Sequence, residues 1–366
     1  MYQLDPGFRI PALQRGLSPA EVVLTKVNAG VTSALLASAG VVSAPPMWAF
    51  GAVGAAAALI NVAPGPRSIG RWATVGYRHL RERTVPDSLI PRTGCTRTWT
   101  LYPDHGTMQD PNYRASFHDT FSRALTFAAG KARRAGIQVH VTHHATGGDY
   151  THHTQTISVH IPKALMPHPE RVMDTLEGEF SALGYLTRVE LEPVPAIVER
   201  DPGWVAFDDG RYATTARITG WPADDEGDLM PKLLLREGAG KARDTAHDRS
   251  LAVLYRPLPP AQSRRSAKWQ RVTSEVVTKD QVKLDANELS SGAMHGALVQ
   301  GDALVDVDAY VTVWGDSPEA VTEARWATTT TADRYRMRLD WLTGQQHRAH
   351  VMTTAHGAST RKGAIL

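Results

Sequence analysis

From Val27 to Pro66 the chain runs for about 40 residues without a charged side chain, interrupted only by Pro45-Pro46. Arg67, Arg71, Arg78, Arg81 and Arg83 follow at once. A bilayer-crossing helix needs roughly 17 to 20 apolar residues, so the run has room for two. The spacing predicts a transmembrane hairpin, with helices over Val27 to Ala44 and Met47 to Ala63. Proline lacks an amide donor and cannot continue a helix, which suits Pro45 and Pro46 to the connecting turn. Gly51, Gly54, Ala55 and Ala58 recur at spacings that let a second helix approach closely. Arg9, Arg15 and Lys26 precede the run. With basic residues on both sides, the positive-inside rule places both termini and the soluble part in the cytoplasm, and the protein in the cytoplasmic (inner) membrane. The segment is rich in Ala and Gly, so a helical hairpin buried in a soluble core is the competing reading. A signal peptide fits poorly, because Pro6, Pro11 and Pro19 precede the apolar stretch and no small-residue cleavage site follows it.

A chain of 366 residues accommodates the hairpin plus about two further domains. The formal charge is only +3, and the arginines beside the apolar run account for much of the excess, so nucleic acid is not needed to explain it. The lone Cys95 excludes an internal disulfide and fits a reducing compartment.

Beyond Pro86 the period of the apolar residues changes. Strand patterns over Thr96 to Tyr102, Ile137 to Ala145, Thr151 to Ile161 and Tyr185 to Leu191 alternate with helical patterns over Tyr113 to Arg134 and Pro169 to Leu183. The order β-α-β-β-α-β is that of a ferredoxin-like split βαβ unit. In the two middle strands Val139, Val141, Ile157, Val159 and Ile161 share one parity, and His140, Thr142, Thr154, Thr156 and Ser158 the other. That alternation predicts one buried and one solvated face. A Pro- and acid-rich stretch, Glu192 to Asp209, predicts a linker to a second α/β unit. Its strand patterns are Tyr212 to Thr219, Leu251 to Arg256, Leu304 to Trp314 and Arg336 to Leu342, and its helical patterns are Glu226 to Arg236, Pro260 to Val282, Ala286 to Leu298 and Pro318 to Tyr335. Ser317-Pro318-Glu319 reads as a helix start, with a hydroxyl cap and proline in the first turn. The expected fold class is therefore α+β, a transmembrane hairpin followed by two ferredoxin-like cytoplasmic domains. The expected boundaries are a cytoplasmic segment 1–26, the hairpin 27–66, a basic juxtamembrane segment 67–88, a first α/β domain 89–195, a linker 196–210, a second α/β domain 211–357 and a tail 358–366.

Six histidines, His140, His143, His144, His152, His153 and His160, cluster on the two middle strands. A hairpin turning about Gly148 would set His144 against His152 and His143 against His153. Zinc sites use three or four ligands with supporting contacts, and no carboxylate or thiol stands at a matching spacing, so solvated strand residues are the expectation, ahead of a metal or a pH-responsive surface. Single-strand nicking enzymes carry a His-hydrophobic-His pair, whereas His140-Val141-Thr142-His143 and His347-Arg348-Ala349-His350 have other spacings. Gly238-Ala239-Gly240-Lys241 lacks the first glycine and the hydroxyl of a phosphate loop, because Leu235 and Ala242 occupy those positions. Arg264, Arg265, Lys268 and Arg271 form a basic helical stripe, read as a solvated face. No catalytic, cofactor-binding or metal-ligating residue is assigned, and no enzyme activity is expected.

Leu254-Tyr255-Arg256-Pro257-Leu258-Pro259-Pro260, the strand ending at Trp314, the helix after Pro318 and Leu342-Thr343-Gly344-Gln345-Gln346 come in an order that resembles the conjugative type IV secretion proteins of actinobacteria. The likeness covers the apolar hairpin and roughly Arg211 to Gly357. It implies a two-helix inner-membrane subunit fused to a domain like the non-ATPase amino-terminal domain of the conjugation ATPase. The implied role is a non-catalytic, homo-oligomeric scaffold of a DNA-transfer apparatus that docks a separate motor ATPase and other channel subunits. The structural residues implied are Pro45 and Pro46 at the hairpin turn, Arg67 and Arg71 beside it, Pro257, Pro259 and Pro260 at a domain turn, and Gly344, Gln345 and Gln346 at a contact. The membrane-anchored E component of type VII secretion resembles the same outline. The alternative from another class is a soluble single-stranded-DNA-binding protein.

Overall fold

The computed structural model describes residues 55, 69–82, 94–104, 110–131, 136–146, 152–162, 165, 168–190, 195–222, 233–234, 248–264 and 303–355. They fall into two compact units, the larger formed mainly by 85–342 and 346–366, the smaller by 4–84 with 343–345. In the smaller unit, α1 spans Ile69–Glu82. A Cβ on Gly344 would lie 2.6 Å from the carbonyl oxygen of Val75 on this helix, and its φ of +82° is one that L side chains rarely adopt, so glycine is required there twice over.

The larger unit is built on one antiparallel sheet. Its first half runs β1 (Cys95–Pro103), α2 (Pro111–Lys131), β2 (Gln138–Thr146), β3 (His152–Ile161), α3 (Pro169–Ser181) and β4 (Gly184–Arg188). Its second half runs β5 (Ile197–Arg200), β6 (Val205–Phe207), β7 (Tyr212–Gly220), β8 (Arg249–Pro257), β9 (Val305–Gly315), α4 (Pro318–Arg334), β10 (Arg338–Trp341) and the short α5 (Gln346–Val351). The strand order is β4-β1-β3-β2-β8-β9-β7-β6-β5, with β10 also on β7, ten strands among the described residues.

Sequence pattern explains the local elements. Pro169 opens α3, and Met173, Leu176 and Phe180 at helical spacing turn one side of it into the core. Ser317 caps α4 by accepting a hydrogen bond from the Ala320 amide at 3.1 Å, with Pro318 in the first turn, as the sequence implies. The buried side of α4 carries only small residues and Val321, so it sits close to the sheet. Trp99, Leu101, Val139, Val141, Ile157, Val159 and Ile161 meet Ala124, Leu125, Met173, Leu176 and Phe180 of α2 and α3 in one core. Ala216, Ile218, Leu251, Val253, Ala309 and Val311 form a second, closed by Ala332 and Met337. Both cores lie on the same face of the sheet.

Four expectations are corrected. Two separate ferredoxin-like domains give way to one continuous sheet, because β2 pairs directly with β8 from Val139↔Tyr255 to Ala145↔Arg249. The transmembrane hairpin is not found among the described residues, where no helix is long and apolar enough to cross a membrane. Of the run 27–66 only Ala55 belongs to the described residues. The stretch read as a linker contains β5 and β6, which extend the sheet. Finally, the face expected to be solvated is largely covered, with Thr154 and Thr156 half-buried. His140, Thr142, Ser158 and His160 are all inside, and His140 and Ser158 bond to the segment that follows β10.

Candidate functional site

The second face of the sheet is rich in hydroxyls and imidazoles, because many residues between the core positions are polar, among them Thr96 and Thr98, Thr156, Ser158 and His160, His140, Thr142 and His144, Ser250, Thr312 and Thr215, with Ala252 and Leu254 of β8 the apolar interruption. Buried polar groups must find partners, since each one left unsatisfied costs about 1 to 3 kcal/mol. The C-terminal segment from Gln346 to Ala355 supplies many of them. His140 Nε2–H donates to the Met352 carbonyl at 2.7 Å, and Ser158 Oγ donates to the Ala355 carbonyl at 2.8 Å. Ser158 also pairs with Thr98 Oγ1 at 2.7 Å, while Thr142 and Thr156 pair at 2.5 Å. Thr353 Oγ1 donates to the His350 carbonyl at 2.9 Å, so it accepts from Thr312 at 2.6 Å, and Thr312 accepts from Thr215 at 2.7 Å. Met352 and Ala349 add apolar contact with Leu254, Tyr310 and Leu342.

Gln346 has the most specific role. β6 pairs with β7 at Tyr212 and Ala213, and β10 pairs with it from Ala216 onward, leaving Thr215 between them on that edge. The Thr215 amide donates to Gln346 Oε1 at 2.7 Å, and Gln346 Nε2 donates back to the Thr215 carbonyl at 3.3 Å. The Leu342 amide also donates to that carbonyl, at 3.1 Å, so the side-chain amide and Leu342 together close the gap in the ladder.

His350 lies against the rings of Phe207 and Trp314, with centroid distances of 4.6 and 4.9 Å. Among the described residues neither of its ring nitrogens has a hydrogen-bond partner. Burial pushes its pKa down to about 3, with the neighbouring His347 adding to the shift. Burial likewise lowers His140 to about 4, against the opposing pull of the Met352 carbonyl. Trp314 Nε1–H donates to Ser250 Oγ at 3.1 Å, which leaves the serine proton for His144 Nδ1 at 2.9 Å. His160 shares a 2.7 Å hydrogen bond with Thr96, and burial lowers its pKa too.

At the far end of the hairpin the register is offset from the expected one: Ala145 faces His153 and Thr146 faces His152. His143 and His153 still meet, diagonally, with Nδ1 and Nε2 3.1 Å apart, rings 5.3 Å between centroids and nearly parallel at 5°. The nitrogens face each other along the line of centres, so one imidazole donates to the other. Burial, then the neighbouring His153, drives His143 to about 3. Such a pair holds one shared proton and is a structural contact. No group of three or more candidate metal ligands occurs among the described residues.

Beside the hydroxyl ladder lies a charged cluster. Arg256 pairs with Asp308 at 2.6 Å and with Asp306 at 3.4 Å, and Arg217 pairs with Asp308 as well. Burial alone would raise the Asp308 carboxyl, but the guanidiniums of Arg256 and Arg217 outweigh it and hold it below the usual carboxylate range. Burial raises the neighbouring Tyr310 hydroxyl to about 12.

Of the residues singled out from sequence, Pro257 ends β8, and Pro259 and Pro260 start a helical turn. That turn is closed by the Ser263 amide on the Pro259 carbonyl at 2.9 Å, while Ser263 Oγ donates to the Leu258 carbonyl at 2.9 Å. Gly344 and the buried Gln345 belong to the smaller unit, Gln346 to the larger. Pro45, Pro46 and Arg67 lie outside the described residues, and Arg71 is placed only as a position in α1. Sequence reasoning missed Trp326. It is 67 % exposed on the outward side of α4 and lines an open depression with Pro318, Glu319, Thr322 and Glu323. Its signal was a tryptophan out of phase with the buried Val321, Ala324, Ala327 and Thr328.

Comparison with known protein families and with curated proteins returns no match.

Proposed function

We propose that this chain is a non-enzymatic scaffold that docks a partner protein on the outward side of α4. Trp326 carries the reading: a large aromatic side chain left in the open, in a depression rimmed by Glu319 and Glu323. Exposed tryptophans anchor protein interfaces, and two carboxylates beside one favour a partner with a basic surface. The inner side of α4 is fixed to the sheet, so the anchor is presented on a rigid support. The likeness of Leu254 to Gln346 to components of DNA-transfer machinery makes a motor ATPase the first partner to test. A photo-cross-linking residue at Thr322 of the full chain, activated in cells of its own host, is expected to give one discrete adduct that contains the ATPase and disappears on Trp326→Ala. An adduct unchanged by Trp326→Ala, or none at all, overturns the assignment.

A further inference from the structure

Among the described residues the sheet has free edges at β4, β5 and β10, and the chain treats them differently. β5 carries Glu199 and Arg200 and is broken by a register shift between Ile197 and Glu199. β10 has a register shift between Arg338 and Leu339 and sets Arg338 and Asp340 along its four residues. Charges and bulges are what keep an edge strand from pairing with another chain. β4 has no register shift, and from Gly184 to Thr187 it has no charge and no proline. Its outer side follows from the ladder. The Val189 amide donates to the Thr98 carbonyl at 3.0 Å, which makes Thr187↔Thr100 and Tyr185↔Tyr102 the hydrogen-bonded pairs with β1. The amides and carbonyls of Gly184, Leu186 and Arg188 therefore point away from the sheet. Beside this edge Tyr185 is 71 % exposed and Tyr102 56 %, with ring centroids 6.3 Å apart. Thr187 and Arg188 are exposed as well.

We propose that β4 pairs antiparallel with β4 of a second copy of this chain, across a two-fold axis at Leu186, and joins two sheets into one. In that register all five residues of the strand are matched. Leu186 meets its own counterpart, and Gly184 meets Arg188 of the second copy, each through its outward amide and carbonyl. Charge complementarity selects this occupant. α3 ends at Ser181 with no basic residue in its last turn, where Glu179 lies, although a helix C-terminus is the negative end of the peptide dipole. Gly184 follows shortly after and has no side chain to fill the space beside it. Leu186 and Arg188 pair with Leu101 and Trp99, so their side chains share the face that α3 covers. Arg188 of the second copy, opposite Gly184, is then set on that face beside the end of α3. The two-fold axis repeats the contact, so each α3 receives the cation it lacks. A strand of another protein would satisfy the main-chain groups without bringing an arginine to that position. On the other face Tyr185 meets Thr187 of the second copy. This surface is distinct from that of Trp326, so the two assignments stand or fall independently.

The test uses the full chain in sedimentation velocity at rising concentration, where it is expected to pass from monomer to dimer. Hydrogen exchange of the Leu186 and Arg188 amides should slow as it does, while the Thr187 amide, already bonded to β1, keeps its rate. Arg188→Pro removes an outward amide and leaves every bond to β1 in place. It should weaken dimerisation by roughly tenfold or more without changing the circular dichroism spectrum. Arg188→Gln keeps that amide and removes the charge from both symmetric sites, and should weaken dimerisation about fivefold, with a smaller effect in high salt. Trp326→Ala, and Val198→Lys on the β5 edge, should leave the dimer unchanged. A chain that stays monomeric at every concentration overturns the proposal. So does a dimer that Arg188→Pro or Arg188→Gln leaves intact, or one that Val198→Lys dissolves. Protection of the Leu186 and Arg188 amides in a monomer only after extract of its host is added overturns it too, by giving the edge to another protein.

Discussion

The Gln346 side-chain amide gives the Thr215 amide its acceptor at a point that β6 does not reach, and shares the Thr215 carbonyl with the Leu342 amide just after β10. Thr215 is buried, and its carbonyl keeps the Leu342 amide at 3.1 Å, so removing Gln346 orphans the Thr215 amide. Gln346→Ala is expected to cost about 1 to 3 kcal/mol in urea unfolding. Gln346→Glu should cost at least as much despite its similar shape, because the carboxylate sets a second oxygen against the Thr215 carbonyl. The buried histidines make a separate prediction. The pKa values of His140 and His350 are depressed from 6.5 to about 4 and about 3. Below pH 6.5 the unfolded chain therefore binds more protons than the folded one, and stability falls as the pH drops from there through the folded-state values. Each histidine contributes a slope of about 1.4 kcal/mol per pH unit over that window. His350→Phe, which keeps the ring between Phe207 and Trp314 and removes the titration, should flatten the decline in urea midpoint between pH 6.5 and 4.5 by one histidine's share.

At the scale of elements, the C-terminal segment is held by short polar contacts and one apolar anchor. Met352 is buried with Leu254, Tyr310, Leu342 and Ala349, and Met352→Ala should cost about 2 to 5 kcal/mol, read from the same urea series. If the polar ladder alone held the segment, the loss would fall below that range. Much of the element list was legible from periodicity. β9 alternates Val305, Val307, Ala309, Val311 and Val313 with Asp306, Asp308, Tyr310 and Thr312, and its bounds follow from that alternation. β5 and β6, four and three residues long in a Pro- and acid-rich stretch, are too short to show a period and resemble linker in the sequence. The cover over the polar face was illegible for a different reason. His140 meets Met352 across 212 residues of sequence, and an alternation of polar and apolar residues says that two faces differ without saying what lies on either. The six clustered histidines look solvated in the sequence for the same reason; His152 and His153 are exposed, whereas His140, His143 and His160 are buried and His144 half-buried. Trp326 is a single exposed residue and leaves no periodic trace.

At the scale of the whole molecule, the decisive contact is the junction of β2 with β8, seven residue pairs from Val139↔Tyr255 to Ala145↔Arg249. It converts two β-rich halves, each legible in the sequence, into one sheet, and nothing local in either strand announces the other as its neighbour. The junction is supported on both faces. Tyr255 touches the first core as well as the second and stacks edge-on against Phe121, while Ala145 of the first half belongs to the second core. On the opposite face the C-terminal segment bonds to His140 in one half and Thr312 in the other. Halves tied together in this way should lose structure together, because neither can open along β2–β8 without exposing both cores and the polar face at once. Fluorotryptophan incorporated throughout the chain supplies a reporter in each half, Trp99 in the first and Trp314 in the second, assigned by Trp99→Phe and Trp314→Phe. Their native ¹⁹F resonances are expected to disappear at the same urea concentration and to give one stability. Placing proline at Ala252, in the middle of the junction, removes a ladder donor from an interior strand and should separate the two midpoints. Two midpoints already apart in the parent chain would mean that β2–β8 pairing joins two independently stable halves, and that the single sheet is not a single cooperative unit.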